Sequence, residues 1–232
     1  SSANVGTGKN VISVNLALAN GSGSASNYSI NSLTAEITGR PVTISGSRLY
    51  DSTTTASSSI LTITSGVSGE SLSLTGSGVL GAASAGTQTV TNNNTLAIAN
   101  GSGLASNYTL SGATINVTII PRTLNVTLSR EYDGTTSVSG ASLTPTFDSL
   151  QGGETLALSG TGSVSTSNVG SSKAVTLGTI ALAAGSGNPS NYTLNSATMN
   201  ITQRVINLDG IRAYDATTNV LSSDINTFGN IV

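Results

Sequence analysis

The chain has 232 residues, a formal net charge of −2, charged residues at only 8% and aromatics at 3%. Without His or Cys it lacks the usual nucleophile–base pairs and has no disulfide framework. Eight scattered Lys and Arg make no basic patch for nucleic acid, and no apolar run approaches the ~20 residues of a transmembrane helix.

Two Phe, six Tyr and no Trp mean that any core is built from Val, Leu, Ile and Ala. Ser and Thr supply nearly a third of the chain, interleaved with these apolar residues in alternating runs that suit strands. In chain order, Leu33, Ala35 and Ile37 share one strand face. Leu72 and Leu74 mark another strand, and Ala113, Ile115 and Val117 a third. Leu124, Val126 and Leu128 then point one way, with Arg130 and Tyr132 next on that face. Leu156 and Leu158 follow. Val175, Leu177, Ile180 and Leu182 suggest one further stretch whose phase slips near Gly178, as at a bulge. Ala197, Met199 and Ile201 close the pattern, and Ile206, Leu208, Gly210, Arg212 and Tyr214 begin it again. Gly101-Ser102-Gly103 and Gly185-Ser186-Gly187 read as turns, and no amphipathic helix of useful length is present.

The pattern is a tandem repeat. Tyr50-Asp51, Tyr132-Asp133-Gly134 and Tyr214-Asp215 recur in one context, as do Arg40, Arg122 and Arg204. A second landmark recurs as Asn27-Tyr28, Asn107-Tyr108 and Asn191-Tyr192. Residues 1–40 align on 165–204, so they are the C-terminal part of a repeat. Full repeats follow at 41–121 and 122–203, and 204–232 is the N-terminal part of a further one. The end fragments together lack the stretch equivalent to 151–164, which favours a longer continuous chain over strand exchange between chains. The repeat is too long for the coils of a β-helix, so each repeat is expected to be a small antiparallel β domain. An immunoglobulin-like sandwich is favoured, with a β-grasp-like unit as the alternative. Very short junctions, such as Gln203-Arg204, point to repeats set end to end as a stiff rod. With strands of 6–10 residues at ~3.3 Å each, the rise per repeat should be roughly 30–40 Å.

The ordered motifs Arg130–Thr136, Gly153–Gly162, Asn168–Val175 and Asn191–Leu194 resemble the bacterial YDG repeat. Such repeats occur in tandem in large secreted adhesins similar to filamentous haemagglutinin and exported by two-partner secretion. The resemblance covers essentially the whole chain. It implies an extracellular structural role on or near the bacterial surface, in adhesion, filaments and biofilm, and it supplies no ligand. The 41–121 repeat departs from the pattern at Ser52, where the turn glycine belongs.

Each candidate for chemistry has a structural reading beside it. Asp51, Asp133 and Asp215 are expected in Asx-turns, since one carboxylate per repeat is few for calcium. Tyr50, Tyr132 and Tyr214, like Tyr28, Tyr108 and Tyr192, read as anchors whose hydroxyls find polar partners. Arg48, Arg130 and Arg212 should lay their stems on apolar surface and turn their heads to a carboxylate or carbonyl. Lys9 and Lys173 invite an isopeptide cross-link, but the equivalent in the 41–121 repeat is Thr89. Candidate glycosylation acceptors are Asn20, Asn27, Asn93, Asn100, Asn107, Asn116, Asn125, Asn191 and Asn200. No catalytic, metal or cofactor residue emerges. The expected partners are neighbouring repeats or like subunits of a fibre. The alternative to a spacer is a repeat-borne module that binds carbohydrate or a host or matrix protein.

Overall fold

The computed structural model describes residues 2–12 and 16–232; Ser1 and residues 13–15 of the expected 1–40 fragment lie outside it. The described chain is all-β, with strands joined by 3-10 turns of three residues each. It divides into two compact units. One comprises Ser1–Arg48 with Thr53–Ile119, and the other Leu49–Ser52 with Ile120–Val232.

The second unit shows the repeat most completely. Its opening strand, Arg122–Glu131, alternates buried and exposed residues as the sequence requires. Leu124 and Leu128 are fully buried and Val126 nearly so, while the intervening Ser, Thr and Asn face outward. The closing strand Tyr192–Thr202 lies beside it and runs parallel, with Leu128 opposite Met199 and Arg130 opposite Ile201. The other described strand pairs of this unit are antiparallel. Outside this central pair, Thr146–Phe147 lines the opening strand, while Gly170–Thr176, Thr161–Val164 and Ser137–Ser139 extend the sheet beyond the closing strand. These make six strands. Leu156–Ser159 and Ala181–Ala184 form a separate antiparallel ribbon. Its Leu158 is buried in one cluster with Val126, Leu128, Val164, Met199 and Ile201, so two sheets share the core. Each such side chain contributes about 1.5–3 kcal/mol by leaving water.

The single stretch expected through Val175, Leu177, Ile180 and Leu182 is two strands in different sheets. Gly178 has φ of 56° and turns the chain from the six-stranded sheet into the ribbon. A Cβ at this position would meet the Thr161 carbonyl oxygen at 2.6 Å, so glycine is required for the close approach as well as for the turn. A true bulge lies elsewhere, between Leu124 and Asn125, where the closing strand carries an extra residue. Asn125 spans it, its Oδ1 accepting from Asn195 Nδ2 at 2.9 Å and Ser196 Oγ at 2.7 Å.

The first unit repeats the six-stranded order with Thr43–Leu49 and Ile115–Ile120 side by side at its centre. Leu72–Thr75 and Ala97–Asn100 are its ribbon. Val42, Ile44, Leu96, Tyr108 and Ile115 form a buried cluster there. Only Pro121 separates the closing strand Ile115–Ile120 from the next opening strand. At the chain's ends, Gly6–Asn10 pairs with Thr34–Ile37, and Asn207–Gly210 with Ile225–Gly229, each as a two-stranded sheet.

Candidate functional site

The Arg-x-Tyr-Asp segment is a closed local turn. In the second repeat, Asp133 Oδ1 accepts from the Thr135 amide and hydroxyl, both at 3.0 Å. These bonds, chiefly the one from the amide, hold the Asp133 carboxyl below the usual range. Arg130 forms an ion pair with Asp133 at 3.0 Å and donates to the carbonyls of Thr135 at 2.5 Å and Ser137 at 2.6 Å. Gly134 carries the turn at φ of 78°. The third copy is built alike: Asp215 accepts from the Thr217 amide at 3.0 Å, and Arg212 reaches Asp215 at 2.7 Å and the Thr217 carbonyl. In the first copy Arg48 donates to the Thr53 carbonyl, and Asp51 is half-buried. Ser52 and Ala216 hold the glycine position at φ of 62° and 60°, a region costly for residues with a side chain. The Asx-turn expectation holds for Asp133 and Asp215, whose Oδ1 atoms are engaged in their own turns.

The turn delivers its tyrosine to a polar joint within the second unit. Tyr50 is 3% exposed and donates its hydroxyl to Glu154 Oε1 at 2.6 Å. Tyr192, 5% exposed, donates to the other oxygen, Oε2, at 2.5 Å. One carboxylate thus accepts two buried phenols, both charge-assisted bonds. The rings meet edge to face, with centroids 5.3 Å apart and planes at 76°. The Tyr192 oxygen also accepts from the Gln151 amide at 3.0 Å. The Tyr50 backbone is pinned on both sides: its amide donates to the Ile120 carbonyl at 2.8 Å, and its carbonyl accepts from Arg122 Nε at 3.0 Å. Burial first, then the hydrogen bond to Glu154 and the charge of that group, push the Tyr50 hydroxyl up to about 12. Tyr192 shifts the same way for the same reasons. The Gly185-Ser186-Gly187 turn closes over Glu154: a Cβ at Gly187 would meet the glutamate side chain at 2.9–3.2 Å.

Glu154 lies within the Gly153–Gly162 motif, but the sequence reading assigns it no role of its own. Its signal is recurrence, since Glu70 occupies the same Gly-Glu-x-Leu position in a chain with only ten carboxylates. Glu70 accepts the Tyr108 hydroxyl, and this bond leads the upward shift of that phenol. The other tyrosines are placed differently. Tyr132 is half-buried against the core of its repeat, while Tyr28 is 68% and Tyr214 95% exposed.

Lys173 donates to the Thr166 hydroxyl at 2.9 Å and Lys9 to the Ser2 hydroxyl at 3.3 Å. Several candidate glycosylation acceptors are engaged in the fold. Asn191 is 4% exposed, which leaves no room for a sugar on the folded repeat, so that expectation is corrected. Asn125 is tied to Asp148, Asn195 and Ser196. Asn116 and Asn200 accept from Thr89 and the Ser172 amide, and Asn107 contacts Asn4 and the Val5 amide. Asn20 and Asn100 each accept an amide five residues on, from Ala25 and Ala105. Asn27 and Asn93 are exposed. Among the described residues no three His, Cys, Asp or Glu gather as a metal site would require, and no helix is long and apolar enough to cross a membrane.

No curated protein and no solved structure matches the chain significantly. The model of the YDG domain matches twice, over residues 34–117 and 118–199, each match opening a few residues before the repeat boundary read from the landmarks. With two tandem matches over most of its length, and with the Tyr-Asp turn built as described, the chain belongs to the YDG domain family.

Proposed function

We propose that this chain is a structural repeat segment of an extracellular bacterial adhesin stalk or surface filament, without enzymatic activity. One observation carries the reading: where the repeat is complete, in the second unit, its recurring polar residues are engaged in internal contacts. Arg130 and Asp133 clamp a turn, while Tyr50, Glu154 and Tyr192 satisfy one another in a buried joint. A binding or catalytic site instead presents convergent polar groups to a cleft. The two-partner secretion context rests on the resemblance of the motifs alone.

Electron microscopy of producing cells in which the number of repeats is varied tests this. The surface projection should lengthen in proportion to repeat number, and scattering from purified multi-repeat chains should report a rod. Purified repeats that bind a carbohydrate or host matrix protein with micromolar affinity, on cells showing no change of projection length, would favour the repeat-borne binding module instead.

A further inference from the structure

A groove of about 310 Å³ opens on the outer face of the six-stranded sheet of the second unit. Asn125, Thr127 and Thr198 line it from the two central strands, alternating with Val126 and Met199, which are buried on the other face. Ser196 joins them at the bulge, and Thr146 and Asp148 close the groove at the sheet's edge. All of these lie inside the complete 122–203 repeat, and none is one of its recurring landmarks. In the first unit the strand register puts Thr43 and Thr64 where Asn125 and Asp148 stand here.

The polar groups of the groove are held in place by one another. The Asn125 amide donates to Asp148 Oδ1 at 3.0 Å and its Nδ2 to Oδ2 at 2.8 Å, while the Asp148 amide returns a bond to the Asn125 carbonyl at 3.3 Å. The Asn125 side chain first, and its amide second, hold the Asp148 carboxyl below the usual range, so it is an ionised acceptor at neutral pH. A carboxylate accepts about four hydrogen bonds, so these two leave it room for more. Beside it the Thr198 hydroxyl donates to that of Thr127 at 3.4 Å, and Ser196 donates to Asn125 Oδ1 at 2.7 Å.

This lining matches one ligand chemistry. No lining residue is basic, so an anion finds no counter-charge, and a single carboxylate is too few for a divalent cation. Val126 is 2% exposed and Phe147 packs against the core, so an apolar or aromatic ligand finds no face to cover. Each hydroxyl of an uncharged sugar ring is both donor and acceptor, as the Thr hydroxyls are, and two neighbouring sugar hydroxyls can donate to one carboxylate. We propose that the groove over Asn125, Thr127, Asp148 and Thr198 is a binding site for an uncharged pyranose ring of a glycan. Adjacent sugar hydroxyls donate to Asp148, and others exchange hydrogen bonds with Thr127 and Thr198. Without an aromatic ring to stack on, the sugar is held by hydrogen bonds alone, with a dissociation constant of about 1–10 mM. The inference is independent of the stalk reading: projection length tests that reading, and the response of this groove tests this one.

Titration of the isotope-labelled 232-residue chain with glucose, galactose, mannose and N-acetylglucosamine, followed by amide chemical shifts, tests it. At least one sugar, added up to about 100 mM, should move the Asn125, Thr127, Asp148 and Thr198 amides saturably and leave Thr43 and Thr64 where they are. Thr127→Val and Thr198→Val remove a hydroxyl but keep the branched side chain and the Asn125–Asp148 bonds, and each should weaken binding about fivefold. Asp148→Ala should weaken it about tenfold or more. If Asp148→Ala disturbs the bulge, the two valine variants decide. No saturable shift with any of the four sugars overturns the proposal, and so does binding that all three variants leave unchanged. Free lysine moving the same amides where the sugars do not would overturn it in favour of a cationic partner.

Discussion

Replacing Glu154 with alanine removes the acceptor of two buried phenols in one step. Tyr50 and Tyr192 are 3% and 5% exposed, so neither hydroxyl can turn to water without moving its ring. A buried donor left without a partner costs about 1–3 kcal/mol, and a bond to a charged group lies towards the upper end. The Tyr192 oxygen keeps the Gln151 amide, but its proton loses its acceptor. The two losses together should destabilise the second unit by about 2–5 kcal/mol. Glu70→Ala is the internal comparison. There one phenol, Tyr108, loses its partner, and the cost should be about half as large. Urea unfolding followed by tyrosine emission measures both, since the chain has no Trp and Tyr50 and Tyr192 report from the joint itself. A double-mutant cycle with Tyr50→Phe should return a positive coupling with Glu154 and none with Glu70. If Glu154→Ala costs no more than Glu70→Ala, or less than about 1 kcal/mol, the joint does not stabilise the fold as argued.

Two further outcomes follow from the same geometry. Because the Tyr50 hydroxyl is raised from its ordinary 10.0 to about 12, the fold prefers the protonated phenol; its contribution is complete below pH 10 and is lost as pH rises from 10 towards 12. Phenolate absorbance recorded alongside circular dichroism should show late-ionising tyrosines whose titration coincides with loss of strand signal, and a single step taking all six tyrosines together well below pH 12 would contradict this. At the turn, Ser52→Gly should stabilise the chain: φ of 62° costs a residue with a Cβ about 1–2 kcal/mol, glycine loses about 0.5–1 kcal/mol in entropy, and the difference favours glycine by about 0.5–1 kcal/mol. Gly134→Ala should shift the unfolding midpoint by a similar amount the other way, and equal midpoints for both variants and the parent would show that these φ values carry no strain.

Local chemistry was legible in the sequence where it needs only near neighbours. Alternation placed Leu124, Val126 and Leu128 on one buried face, because the strand period is two whatever the strand pairs with. Asp133 and Asp215 fold onto residues two positions away, so their turns follow from the Tyr-Asp-x-Thr order. The tertiary structure decided everything that joins distant segments. Nothing in the apolar pattern states that Arg122–Glu131 pairs in parallel with Tyr192–Thr202, because a half-buried strand reads alike beside either neighbour. Gly178 looked like a bulge since phase alone does not distinguish a slip within one strand from a turn between two sheets. Asn191 fits a glycosylation sequon as well as Asn27 does, and burial separates them. Tyr50 could be foreseen as an anchor in need of a polar partner. That the partner is Glu154, 104 residues away, lies beyond the reach of any local pattern, because period and turn chemistry report only on near neighbours.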